Sequence, residues 1–226
     1  MGLAVHLTRD EILDQVIQAN RVLRPAGLSV RNVVFMGMGE PFHNEAEVYR
    51  AQEVLLSPRC FDHSPARVLV STVGIPDAMV RCAERFPRLR LALSLHSARQ
   101  EQRERIIPLA RRYPLDRLRW AMAAVTAAQQ QPLMVEYLLL DGLNDTDEDV
   151  QALIVYLHEL PVRINLIPYN PIDEPTGLCG TAPARRREFA AALQAAGFAV
   201  RSRYSLGADI AAGCGQLVRS EQGSLP

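Results

Sequence analysis

Short apolar runs alternate along the chain with longer stretches whose apolar residues recur every three or four positions. Positions 8–24 open with Thr8-Arg9-Asp10-Glu11, a capping box, and keep Ile12, Val16, Ile17 and Leu23 on helical spacing, so a helix is predicted there, ended by Pro25 and Gly27. Val33, Val34, Phe35 and Met36 then form an unbroken apolar run, as expected of a parallel strand covered on both faces. Asn44 with Glu47 three residues on signals a second helix through Val48, Val54 and Leu55. A β-rich run over 67–74 follows, and Pro76 opens a helix to about position 86. The remaining pattern predicts a strand over 90–96, a helix over 115–129, a strand over 133–140, a helix over 146–160, a strand over 162–167, a helix over 182–196 and a strand over 198–204.

Strands that alternate with helices predict parallel pairing and right-handed crossovers, and hence an α/β fold with a barrel-like sheet. Polar residues gather just after the strands: Glu40, then Ser71 and Thr72, Ser94 and His96, Asp141 and Asn144, and Asn170. In a barrel-like parallel sheet those ends share one face, where ligands bind. The first strand runs into Gly37-Met38-Gly39-Glu40-Pro41, where the glycines let backbone turn sharply or lie against a ligand. Glu40 at a strand's C-terminal edge suits an ammonium or a hydroxyl. The third glycine of the dinucleotide fingerprint is absent.

At 226 residues, 48% hydrophobic and 22% charged, the chain fits one sizeable globular domain. No apolar run approaches the ~18 residues needed to span a bilayer, and the first ten positions lack a signal-peptide pattern, so a cytoplasmic protein is expected. Formal net charge is zero, which leaves nucleic-acid contact to local patches. All 25 basic residues are arginines. Arg99, Arg103, Arg105, Arg111, Arg112, Arg117 and Arg119 crowd one segment, and Arg185, Arg186, Arg187, Arg201 and Arg203 form later clusters. These clusters read either as RNA-phosphate contacts or as a solvated helix surface. Cys60, Cys82, Cys179 and Cys214 show no C-x-x-C spacing, which argues against a disulfide framework and a self-contained metal site.

Gly37-Met38-Gly39-Glu40-Pro41, Ser71-Thr72-Val73-Gly74, Ser94-Leu95-His96, Asn165-Leu166-Ile167-Pro168-Tyr169-Asn170-Pro171 and Asp209-Ile210-Ala211-Ala212-Gly213-Cys214-Gly215-Gln216-Leu217 come in the order seen in one family. Together they resemble the radical S-adenosylmethionine RNA methyltransferases that modify an adenine of large-subunit ribosomal RNA and, in some members, transfer RNA. The similarity runs from His6-Leu7-Thr8 to Leu217.

This resemblance implies S-adenosylmethionine contacts at Gly39, Glu40, Ser71, Ser94, Leu95, His96 and Asn170. Glu40 would accept from the methionyl ammonium, and Ser71 and Asn170 would meet carboxylate or ribose. His96 also reads as a packing histidine bonded to backbone. Cys214 would be the methyl carrier, a thiolate nucleophile with room on both sides from Gly213 and Gly215. One S-adenosylmethionine would methylate it, and a radical formed from a second would activate that methyl for addition to adenine, at C2 in preference to C8. The implied partners are 23S rRNA, tRNA in some members, and an electron donor such as flavodoxin. A monomer without membrane contact is expected.

The family's C-x-x-x-C-x-x-C motif, which holds a [4Fe-4S] cluster, does not occur in this sequence, and no metal ligand is assigned. The resemblance therefore implies a partial (β/α)-barrel of the radical S-adenosylmethionine type, a single domain over 1–226 without the first strand and cluster loop. Positions 205–226 would form a closing loop and tail carrying Cys214, and 32–36 an apolar sheet edge. This chain alone is expected not to cleave S-adenosylmethionine reductively, because the electron reaches the sulfonium through cluster iron. The alternative is a cluster-less paralogue that binds S-adenosylmethionine or RNA without chemistry.

Overall fold

The computed structural model describes residues 5–170 and 177–203. These residues form seven α-helices and six strands. The helices are α1 (Arg9–Leu23), α2 (Glu45–Leu56), α3 (Pro76–Arg85), α4 (Gln100–Ile106), α5 (Leu115–Gln129), α6 (Asp147–Leu157) and α7 (Pro183–Ala195). The strands are β1 (Val33–Phe35), β2 (Val68–Thr72), β3 (Arg90–Ser94), β4 (Leu133–Leu139), β5 (Val162–Pro168) and β6 (Ala199–Ser202). The six described strands pair in parallel and their order is sequential, β1 to β6, so the sheet winds in one direction as a barrel segment does. Every strand's C-terminal end thus lies on the same edge. Among the described residues no helix is long and apolar enough to cross a membrane.

Local chemistry explains most of the boundaries. At α1, Thr8 Oγ1 accepts from Glu11 N at 3.3 Å and the Glu11 carboxylate accepts from Thr8 N at 2.8 Å, which completes the predicted capping box. Thr146 and Asp149 form the same reciprocal pair at α6. Asn44 does start α2, but its amide donates to Leu7 O rather than capping, and Glu47 accepts from Arg9 N. That pair ties the α1 entry to α2 instead of closing a box.

The main core lies between the sheet and its helices, with Val68, Val70, Leu91, Leu93, Val135 and Tyr137 from the strands meeting Met79, Leu118, Met122 and Phe189. Each such side chain contributes roughly 1.5–3 kcal/mol on burial. A smaller cluster joins Leu13 and Val16 of α1 to Ala51 and Leu55 of α2.

Two expectations need correction. The apolar run at 33–36 lies at a sheet edge as expected, β1 pairing only with β2 among the described strands, but its two faces are not both covered, since Val34 is 57% exposed. Helix α4 also went unpredicted. Its sequence, Gln-Glu-Gln-Arg-Glu-Arg-Ile, lacks an apolar stripe because the fully buried position is Arg103.

Candidate functional site

A cleft of ≈ 1250 Å³ opens at the C-terminal edge of the sheet. Successive strand ends supply its wall: Gly37, Gly39 and Glu40 after β1, Ser71 and Thr72 of β2 with Val73 after it, Ser94 of β3 with His96 after it, Glu136 and Leu138 of β4, and Pro168 of β5 with Tyr169 and Asn170 after it. It extends along β1 to Ile12 and Val16 of α1. Six of the eight residues singled out as cofactor or carrier positions therefore share one cavity. Leu95 is buried in the core, its N–H donating to Glu136 O and its carbonyl accepting from Arg103 Nε, and Cys214 lies outside the described residues.

Glu40 ties the β1 and β2 ends together. Its Oε1 accepts from Thr72 Oγ1 at 2.8 Å and from Phe42 N at 3.0 Å, and its Oε2 accepts from Val73 N at 2.8 Å. Gly39, at φ 92°, turns the chain so that this carboxylate can reach back. Most of its accepting capacity is thus used within the fold, a structural duty that its ligand assignment did not anticipate.

Beside it, Gly74 (φ +101°) has no room for a side chain: a Cβ would sit 2.8 Å from Leu118 Cδ1 and 3.0 Å from Leu93 Cδ1. Buried Arg103 holds the carbonyls of Val73 and Leu95 from below.

Sequence reasoning missed Glu136. It is 1% exposed, in register with Ser94 on one side and Asn165 on the other. Ser71 Oγ donates to its Oε2 at 2.9 Å, and the Ser71 and Ser94 hydroxyls stand 3.5 Å apart. Burial raises the pKa of its carboxyl above the ordinary range, with Ser71 and the Arg203 charge opposing the shift. The available signal was a carboxylate inside the apolar run Leu133–Leu139, where a charge is costly without partners.

His96 adopts a left-handed backbone (φ 59°) and accepts from Leu138 N at Nδ1, 3.0 Å away, so its Nε2 carries the proton in the neutral ring. Burial, helped by the Arg103 charge, pushes its pKa down to about 4. The ring is therefore both a backbone-bonded packing group and a neutral part of the cleft wall.

Asn144 was grouped with the ligand face, but it is sealed inside. Its amide donates to His96 O and Leu138 O and its Oδ1 accepts from Leu140 N, so it clamps the β4 exit to the His96 turn. Asp141 is exposed and does not line the cleft.

No protein-family model matches the chain. A probable RNA methyltransferase from Rhodopirellula baltica is 48% identical over 221 residues, 98% of this chain and 58% of that protein. The dual-specificity RNA methyltransferase RlmN of Sorangium cellulosum is 39% identical over 96% of this chain and 56% of its own length. The crystal structure of a radical SAM methyltransferase from Sphaerobacter thermophilus superposes with a TM-score of 0.92 at 37% identity, covering 96% of this chain and 63% of that one. Over nearly its whole length, the chain is a homologue of RlmN-type RNA methyltransferases. It spans about three fifths of the length of the curated relatives it matches.

The resemblance implies a [4Fe-4S] cluster, and the cysteines among the described residues do not come together to hold one. Cys60 and Cys179 are exposed, and Cys82 is buried with its thiol pushed up to about 12 by desolvation. Among the described residues no three His, Cys, Asp or Glu side chains gather as metal ligands.

The arginine segment is also largely spoken for. Arg103 is internal, and Arg99 pairs with Glu148 and Asp149. Arg117 pairs with Asp77, and Arg119 donates to the carbonyls of Tyr156 and His158. Arg185 spans Asp145 O and Asp147. Arg105, Arg111 and Arg112 remain exposed.

Proposed function

We propose that the chain carries the S-adenosylmethionine-binding part of an RNA methyltransferase acting on an adenine of 23S rRNA, at C2, with tRNA as a second substrate. The observation that carries this reading is the gathering of Gly39, Glu40, Ser71, Ser94, His96 and Asn170 around one cleft at the sheet's C-terminal edge. Its mixture of apolar walls with a few convergent polar groups suits a nucleoside joined to an amino acid. Bound S-adenosylmethionine supplies the methyl-derived carbon. In this chain Glu40 and Asn170 present acceptors and donors at the rim, neutral His96 offers an Nε2–H, and Cys214 carries the methyl group.

The product's target, an adenine edge, is hidden in stacked RNA, so the base has to be splayed into the cleft. Exposed Arg105, Arg111 and Arg112 supply the phosphate contacts on this reading. A second reading is a relative that holds S-adenosylmethionine or RNA without chemistry, since the described cysteines, two exposed and one buried, do not gather as cluster ligands. Mass spectrometry of host 23S rRNA separates the two. Deleting the gene removes one adenine methyl group if the enzyme reading holds, and a gene copy encoding Cys214→Ala does not restore it. Ribosomal RNA and tRNA with unchanged methylation would refute the enzyme reading.

A further inference from the structure

We propose that Glu136 recognises the two ribose hydroxyls of the ligand's nucleoside half, a role that rests on reading the cleft as an S-adenosylmethionine site. Glu136 stands in the cleft wall, yet only one of its two carboxylate oxygens is satisfied. Ser71 Oγ donates to Oε2 at 2.9 Å, whereas Oε1 is buried without a hydrogen-bond partner. A buried carboxylate oxygen lacking a donor is destabilising, and a donor brought by a ligand removes the deficit. Glu40, by contrast, already accepts three hydrogen bonds within the fold.

The surroundings select a neutral donor over a cation. Arg203 Nη2 lies 3.8 Å from that same Oε1. The guanidinium is held there by Asn165, whose side-chain oxygen, with the amide turned to satisfy its neighbours, accepts from Nε and Nη2 at 3.1 Å. An ammonium arriving at Oε1 would meet this positive charge. A hydroxyl would not. A vicinal diol also matches the spacing of a carboxylate, and the Ser71 and Ser94 hydroxyls, 3.5 Å from each other, extend the polar wall on the other side.

The test titrates the full chain with adenosine, 2′,3′-dideoxyadenosine and methionine, followed by ligand-observed NMR. The wild type is expected to prefer adenosine over the dideoxy compound by about tenfold, the equivalent of one good hydrogen-bonded contact. Glu136→Gln is expected to reduce that preference to below about threefold while methionine binding stays unchanged. Loss of methionine binding, with the adenosine preference kept, assigns Glu136 to the ammonium and overturns the proposal. So does a wild type that binds both nucleosides equally. If the Gln variant lacks a folded circular dichroism spectrum, Glu136→Asp takes its place, and a preference still near tenfold overturns the proposal. A wild type that binds neither adenosine nor methionine removes the S-adenosylmethionine reading itself. Binding of both without any Glu136 dependence removes only this inference.

Discussion

Replacing Glu40 by Gln keeps the side chain's shape and removes its charge, which isolates the tie between the first two strand ends. In the native protein Oε1 accepts from Thr72 Oγ1 and Phe42 N, and Oε2 accepts from Val73 N. A glutamine has one accepting oxygen. In its better orientation it keeps the first two bonds and turns an NH₂ toward the Val73 N–H, so one charge-assisted bond is lost and two donors face each other. A hydrogen bond to a charged group is worth about 1.5–3 kcal/mol and a stranded buried donor costs about 1–3 kcal/mol. The site is only partly buried, so the two contributions do not add in full, and about 2–4 kcal/mol is expected. For a chain of this size that corresponds to a Tm lower by roughly 5–15 °C.

Thermal and urea unfolding followed by circular dichroism read this out, with the m-value unchanged. A double-mutant cycle with Thr72→Val should return a coupling of about 0.5–3 kcal/mol. A Glu40→Gln protein within about 1 °C of wild type refutes the reasoning, because it means the carboxylate's three bonds carry no net stability.

Gly74→Ala forces a Cβ to 2.8 Å from Leu118 Cδ1 at a left-handed φ, and should cost about 2–4 kcal/mol in urea unfolding. His96 sets a pH dependence: its folded pKa, about 4, lies below the unfolded value of about 6.5, so its contribution is complete above 6.5 and is lost as pH falls toward 4. The wild type should therefore lose on the order of 3 kcal/mol more than His96→Asn between pH 7 and pH 4. Asn tolerates the left-handed backbone and does not titrate. Comparing the two proteins cancels Glu136, whose raised pKa acts in the opposite direction. Anaerobic reconstitution of the 226-residue chain with iron and sulfide should leave no iron–sulfur absorbance; near-stoichiometric bound iron would contradict the cysteine reading.

The strand ends were legible because a parallel strand buried by helices reads as an apolar run, and the residue after it is the first that can be polar. That reasoning located Glu40, Ser71, Ser94, His96 and Asn170, all of which line the cleft. It failed where a polar side chain serves the fold. Asn144 looks like a ligand residue in sequence, but its three hydrogen bonds go to backbone. Arg103 broke the apolar stripe of α4 because a buried guanidinium fills the place of an aliphatic group. Glu136 escaped notice for the converse reason, a carboxylate hidden within an otherwise apolar strand. The role proposed for Cys214 rests on the resemblance alone, since the residue lies outside the described structure.

Amide hydrogen exchange of the full chain, with and without S-adenosylmethionine, tests the central claim most directly. Ligand-dependent protection is predicted at 37–40, 71–74, 94–96 and 168–170, four segments far apart in sequence that meet only at the C-terminal edge of the sheet. Protection confined to other segments, or no protection at saturating ligand, contradicts the assignment of this cleft.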